Sequence, residues 1–389
     1  MSARPRLIVA GVLLFTAGCA AGSTAGAGDR ASETLLRERA ERILAEAPLI
    51  DGHNDFPSQV LDRGGSLETV DLARPQPALH TDLSRLRAGH VGGQFWSAYV
   101  SADSMHRGAL RHALRQIDVI HRMIERYPEL EDARTADDLE RIGRAGRIAS
   151  MIGVEGGHAI EGSLSALRVF HELGVRYMTL THSLTTDWAD SGTDQARHGG
   201  LSPFGEEVVR EMNRLGMFVD LSHVSPETMR DALRVSRAPV LFSHSSARGV
   251  TDQPRNAPDD VLRELARNGG VIMVTFVPQF VNADPAAASL ADVANHIDHI
   301  RRVAGIDHIG IGGDFDGISS VPAGLEDVSA YPALFAELLR RGYSEEELRK
   351  ISRENVVRAM RQMEEVAGRL RRERPPSLAD RAPAAVPAP

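Results

Sequence analysis

Short runs of β-branched and apolar residues recur along the chain at 49–53, 94–100, 148–154, 177–181, 217–222, 240–243, 271–276 and 308–312. Runs of this length and composition predict strands. Between them lie longer stretches whose apolar residues return every three or four positions. These predict amphipathic helices, for example over 108–127, 163–173, 204–215, 226–235, 258–268 and 290–304. A further helical stretch covers 32–47, with Leu35, Leu36 and Ile43 on its apolar side. Strand followed by helix, eight times over, is the α/β pattern of a (β/α)8 TIM barrel. An open doubly wound sheet is the competing arrangement. No Gly-x-Gly-x-x-Gly follows a strand, which removes its usual dinucleotide-binding form.

Composition narrows the function classes. A chain of 389 residues with 42% hydrophobic content can fill one large core or two ordinary ones. A net charge of -8 and the lack of a basic patch argue against nucleic acid as a partner. No apolar run reaches the ~20 residues that a membrane-spanning helix needs. The N-terminus stands apart. Arg4 and Arg6 precede an apolar run over 7–15, and Ala17 and Gly18 lead into Cys19. That is the order of a secretory signal. Cys19 is the sole cysteine, so no intramolecular disulfide can form. The segment resembles a bacterial lipoprotein signal, in which the cysteine becomes the lipid-bearing first residue. Thr16 stands where that pattern usually has Leu, and ordinary signal cleavage is the alternative. The expected division is a signal at 1–18, a flexible tether at 19–31, the barrel domain at 32–372 and a disordered Pro/Ala-rich tail at 373–389. The expected location is the bacterial cell envelope, anchored through lipid at Cys19.

The candidate chemistry sits where the runs end. The first ends in His53 and Asp55, two apart and therefore on one face of an extended strand. Taken alone, this pair reads as a turn with a capping Asp. The third run ends in Glu155, the fourth in His182, the fifth in His223, the sixth in His244 and the eighth in Asp314. In a barrel these ends share one rim, where the active sites of this fold lie. The fifth and sixth strands should be neighbours, about 4.8 Å apart, so His223 and His244 can reach one ion. A single strand-end His is more often a hydrogen-bonded structural residue. That, or simple solvation, is the reading for His158, His171, His198, His296, His299 and His308. Six ligand-type ends together point to a metal site. Three His, one Asp and one Glu without Cys suit catalytic zinc. Five ligands exceed one tetrahedral ion with an open position and fit two ions sharing a carboxylate, roughly 3.5–4 Å apart.

At this point the chain resembles the renal-type membrane dipeptidases (peptidase family M19), binuclear zinc hydrolases on a (β/α)8 barrel. The matching stretches are 50–56 (I-D-G-H-N-D-F), 92–96 (G-G-Q-F-W), 154–160 (V-E-G-G-H-A-I), 179–182 with Trp188, Ala189 and Asp190, 220–224 (D-L-S-H-V), 242–247 (F-S-H-S-S-A), 255–260 (R-N-A-P-D-D) and 310–317 (G-I-G-G-D-F-D-G). They run in order from about 49 to about 360. The resemblance implies His53 and Asp55 on one zinc, His223 and His244 on the other, and Glu155 bridging. It also implies that His182 and Arg255 contact the substrate and that Asp314 handles the proton. Phe280 lies where some relatives carry a Tyr near the substrate carboxylate.

The resulting expectation is hydrolysis of L,L- and L,D-dipeptides by attack of a hydroxide shared between the two metals. His182 would steady the developing oxyanion, Asp314 would move the proton, and Arg255 would hold the terminal carboxylate. Expected partners are dipeptides, a membrane through the lipid and a second copy of the chain. Two rivals stand beside this reading. One is a metal-dependent deaminase, lactonase or phosphotriesterase on the same kind of rim; the other is an exported binding lipoprotein without catalysis.

Overall fold

The computed structural model describes residues 25–380, with side chains from 32 onward. Nine parallel strands form its single sheet: β1 (Leu49–Asn54), β2 (Val91–Tyr99), β3 (Leu130–Asp132), β4 (Ile148–Glu155), β5 (Val175–Thr179), β6 (Phe218–Asp220), β7 (Leu241–Ser245), β8 (Val271–Val274) and β9 (Ile309–Ile311). The order β2-β1-β9-β8-β7-β6-β5-β4 closes on itself because β2 also pairs with β4, from Gly93–Ala149 to Tyr99–Glu155. The result is a closed eight-stranded (β/α)8 barrel, as the strand–helix alternation predicts. The extra strand β3 pairs with the start of β4 at Ile148–Ser150, ahead of the part that β5 pairs. It is only three residues long, too short for a run-based reading to separate from its loop.

The strands read as near-continuous apolar runs because parallel strands are covered on both faces. All residues of β1, β4 and β5 are buried. The helices start and stop where sequence chemistry directs. Ser202 accepts from Gly205 N–H ahead of Pro203–Leu215, Ser225 accepts from Thr228 N–H ahead of Pro226–Val235, and proline opens both helices. Ser289 and Asp292 form a reciprocal capping box on Leu290–Val303.

Inside the barrel, Tyr177 crosses to lie against Phe95, ring centroids 5.1 Å apart. Position 153 must be glycine for this, since a Cβ there would stand 2.0 Å from the Tyr177 ring. Below this layer the C-terminal helix Asn355–Glu373 turns Val356, Met360, Met363, Val366 and Leu370 toward Ile50, Met151, Phe218, Leu241 and Val271. These strand residues lie in the first halves of their strands, so the helix forms a floor opposite the rim where the strands end.

Two expected boundaries shift. The first helix runs Ala25–Glu46 and takes in the last part of the stretch expected to be a tether. Its docked half, with Ala40, Ile43 and Leu44 buried, supplies the nucleus from which helix propagates back through a run containing three alanines. At the other end, residues 374–380 lie on the surface with specific partners rather than free. Arg168 donates to Ser377 O (3.0 Å), and Asp380 accepts from Leu164 N–H (3.2 Å), an otherwise open donor at the start of helix Leu164–Glu172. Composition cannot reveal such backbone bonds. The signal at 1–18, Cys19 and residues 381–389 lie outside the described residues.

Candidate active site

β1 delivers its two polar groups by ending abruptly. Asn54 Oδ1 accepts from Phe56 N–H (2.9 Å) and its Nδ2 donates to Thr81 Oγ1 (2.8 Å), so the chain turns directly into helix Phe56–Asp62. Asp55 N–H is tied to Phe315 O (2.9 Å), in the segment that carries Asp314. Three site residues occupy their places through constrained backbone. His223 (φ 75°) and Asp314 (φ 61°) are left-handed, and so is Asp316 (φ 66°), a conformation that costs L-residues roughly 1–2 kcal/mol each. Surrounding bonds hold them there, including Asp314 N–H to His53 O (3.2 Å) and Gly192 N–H to His223 O (2.8 Å).

Seven of the eight side chains nominated at the rim meet around Glu155. Its Oε1 lies 2.9 Å from His223 Nε2, 3.4 Å from His244 Nε2 and 3.7 Å from His182 Nε2. Its Oε2 faces the other way, 3.5 Å from His53 Nε2. His53 Nε2 is in turn 3.1 Å from Asp55 Oδ2 and 3.9 Å from Asp314 Oδ1. Three sets can each surround an ion: His53, Glu155 and His244; Glu155, His182 and His223; and His53, Asp55 and Asp314. The sets cut across the pairing implied by the resemblance, since His244 groups with His53 and His182 with His223. His223 and His244 still face each other directly, with Nε2 atoms 2.9 Å apart.

Hydrogen bonds behind the rings set which nitrogen faces the cluster. Tyr177 Oη donates to Gly52 O (3.2 Å) and so accepts from His53 Nδ1–H (2.8 Å), turning Nε2 toward Glu155. Ser243 Oγ lies 2.7 Å from His244 Nδ1 and does the same for that ring. Such partners fix ligand orientation in metal sites. Electrostatics fit the same use. Burial, with Arg255 and His182 adding to it, pushes the His223 imidazole well below its ordinary pKa. Burial and His53 do so for His244. Burial opposes ionisation of Glu155, but the charge on His53 and hydrogen bonds from three imidazoles hold its pKa well below the ordinary range. Burial, together with the Asp55 and Glu155 charges, pushes Asp314 well above its ordinary value despite His53 and Arg255. Burial opposes protonation of His53, but Tyr177, Glu155 and Asp55 push its pKa well above the ordinary value. Two neutral imidazoles, His223 and His244, with a protonated His53 among crowded carboxylates form a donor set that a divalent cation satisfies by displacing that proton.

The cluster opens into a cleft of about 370 Å3 that Tyr99, Arg255, Val277 and Phe280 also line. Arg255, the eighth nominated residue, is 3% exposed, and neither of its terminal nitrogens has a hydrogen-bond partner in the protein. Its guanidinium lies over the Phe280 ring, 5.3 Å from the centroid. Burial lowers its pKa to about 10, so it carries a charge at neutral pH. A buried, charged fork without a carboxylate of its own is costly unless something else binds it.

The family model for membrane dipeptidases (peptidase family M19) matches residues 37–374. The chain belongs to this family. Dipeptidase 3 of Rattus norvegicus is 48% identical over 344 residues, covering 86% of this chain and 69% of the relative. Dipeptidase 3 of Homo sapiens is 48% identical over 346 residues, covering 87% and 70%. A metallo peptidase from Rhodobacter sphaeroides, solved with a phosphinate mimic of the dipeptide L-Ala-D-Ala, superimposes with a TM-score of 0.74 at 29% identity, covering 81% of this chain and 99% of that one. This membrane dipeptidase is a metallopeptidase acting on dipeptides. Ser243 lies within the matching stretch 242–247, but Tyr177, which supports His53, lies in none, and only the fold places it behind a ligand-type histidine.

Proposed function

We propose that this dipeptidase is zinc-dependent and hydrolyses the single peptide bond of L,L- and L,D-dipeptides. The observation that carries the reading is the pairing, in one cleft, of the Glu155-centred cluster with a buried and unpartnered Arg255. His53, Asp55, Glu155, His223 and His244 would hold two zinc ions, with Glu155 shared because its two oxygens face different imidazoles. Bound there, zinc would acidify a water and polarise the scissile carbonyl. Arg255 would grip the free carboxylate of the second residue through both terminal nitrogens, setting the bond to be cut one residue away. His182, neutral because burial lowers its pKa, would donate an N–H to the carbonyl oxygen as negative charge develops on it. Asp314, whose raised pKa lets it hold a proton, would receive one from the water and deliver it to the leaving amine. The phosphinate mimic bound by the Rhodobacter sphaeroides relative supports acceptance of a D-residue at the second position.

The same proposal covers pairing of two copies as a homodimer, and export with anchoring through lipid at Cys19, supported by a lone cysteine that follows the apolar run at 7–15 and the small residues Ala17 and Gly18. No helix among the described residues is long and apolar enough to cross a membrane. Cys19→Ser should therefore move the protein from the membrane to the soluble fraction. A wild type already soluble, with another first residue, refutes the anchor. A panel of L,L- and L,D-dipeptides, assayed after chelation and after zinc is restored with metal content measured alongside, tests the activity. Full turnover without metal, or with one ion per chain, refutes the two-zinc reading.

A further inference from the structure

Arg255 has no hydrogen bond through its terminal nitrogens, so its aim depends on where its backbone and the Phe280 ring are held. Those two residues sit on different segments: the loop after β7, residues 246–258, and the segment after β8 that begins the short helix Pro278–Val281. One fully buried side chain joins them. His296, on helix Leu290–Val303, accepts from Ala247 N–H at Nδ1 (3.1 Å), which places its own proton on Nε2. That Nε2–H points at Val281 O (3.2 Å) and at Thr251 Oγ1 (3.3 Å), while Thr251 Oγ1–H itself donates to Val281 O (3.1 Å). Asn256, next to Arg255, closes the join by donating to both Thr251 O (2.9 Å) and Phe280 O (2.8 Å). Burial pushes the His296 pKa down to about 4, so the ring is neutral and can accept and donate at once.

From this connectivity we propose that His296, which the sequence marks only as a structural histidine, is a positioning residue for substrate specificity. It locks the Arg255 loop against the Phe280 segment and so sets the distance between the carboxylate grip and the scissile bond. The inference rests on the carboxylate role of Arg255. Misplacing a binding group by about 1 Å can cost about 10²-fold in rate.

The test compares the zinc-loaded wild type with His296→Leu, His296→Gln and Thr251→Val, using a dipeptide and its C-terminal amide. His296→Leu should lower the acid-over-amide preference in kcat/KM by roughly 10²-fold, mainly through KM for the free acid, with zinc content unchanged. Glutamine can both accept and donate, and His296→Gln should recover most of the preference. Thr251→Val removes one hydroxyl and its two hydrogen bonds with little change in shape, should fold even if His296→Leu does not, and should weaken the preference in the same direction. A wild type without any acid-over-amide preference refutes the Arg255 reading and this proposal with it. A strong wild-type preference that survives in Thr251→Val and in whichever His296 variants fold refutes the positioning role alone. Equal loss on acid and amide also refutes it, because that is the mark of a merely structural residue.

Discussion

Replacing Arg255 by methionine separates binding from stability more cleanly than any other change at this site. The guanidinium is buried, both terminal nitrogens lack protein partners, and its pKa is lowered by burial, so the folded protein already bears the cost of desolvating it. Methionine keeps the length of the stem and can still pack on Phe280. Arg255→Met should therefore leave thermal stability unchanged or higher, apart from a cation–π contact of about 0.5–2 kcal/mol. Substrate binding should respond in the opposite direction. Two charged hydrogen bonds to a carboxylate, each contributing about 1.5–3 kcal/mol, give a loss of about 3–6 kcal/mol. At about 1.4 kcal/mol per tenfold, kcat/KM for a free dipeptide should fall roughly 10²–10⁴-fold. The amide of the same dipeptide, unable to form the charged pair, should be a poor substrate of the wild type and change little in the variant. Steady-state kinetics on both substrates, with Tm and zinc content measured in parallel, decide the matter. If acid and amide are cleaved equally fast by the wild type, or lose rate equally in the variant, the carboxylate-grip reasoning is wrong.

Glu155→Gln, which keeps shape but removes the charge shared between two sets of imidazoles, should lower bound metal and activity together; full metal content by elemental analysis would contradict its bridging role. Asp314→Asn should lower kcat by about 10²–10⁴-fold with metal retained, since asparagine also tolerates the left-handed backbone at this position; normal turnover would remove Asp314 from proton transfer. His296 gives a pH prediction, its charged neighbours being His299 and Asp292 on the same helix. Its folded pKa of about 4 lies below the ordinary 6.5, so its contribution is complete above pH 6.5 and is lost as pH falls toward 4. The loss amounts to roughly 3 kcal/mol at most, and denaturant titrations should find it in the wild type but not in His296→Gln; identical pH dependence would count against it.

The barrel was legible because parallel strands covered on both faces leave apolar runs, and because each run is followed by a helix with its own period. The rim was legible for a related reason. Side chains that close strands are forced to converge, so His53, Glu155, His244 and Asp314 could be linked without any distance in hand. Arg255 could not be reached this way. It lies ten residues beyond the end of β7, and only a motif singled it out. His296 is the hydrogen-bonded structural residue expected, but which segments it joins was not legible, because one imidazole in an amphipathic helix looks the same whether it fills space or joins two loops. The floor helix Asn355–Glu373 escaped the strand–helix count because no strand follows it. Residues 374–380 make specific bonds between side chains and backbone that composition does not encode.

That floor also decides when the molecule can finish folding. β1 is among the first segments made, yet Asp51 pairs with Ile311 of β9, and the barrel's lower end is sealed by a helix that begins only at Asn355. The inner apolar residues at the barrel's lower end stay uncovered until this helix is made, and such long-range closure is slow. A chain stopped after Glu354 should bind an apolar dye and yield to trace protease; one as resistant as the full chain would show the floor to be dispensable. For a protein proposed to be exported, late closure is an advantage. Synthesis from the N-terminus cannot build a stable barrel prematurely, so the polypeptide stays threadable until its last helix arrives.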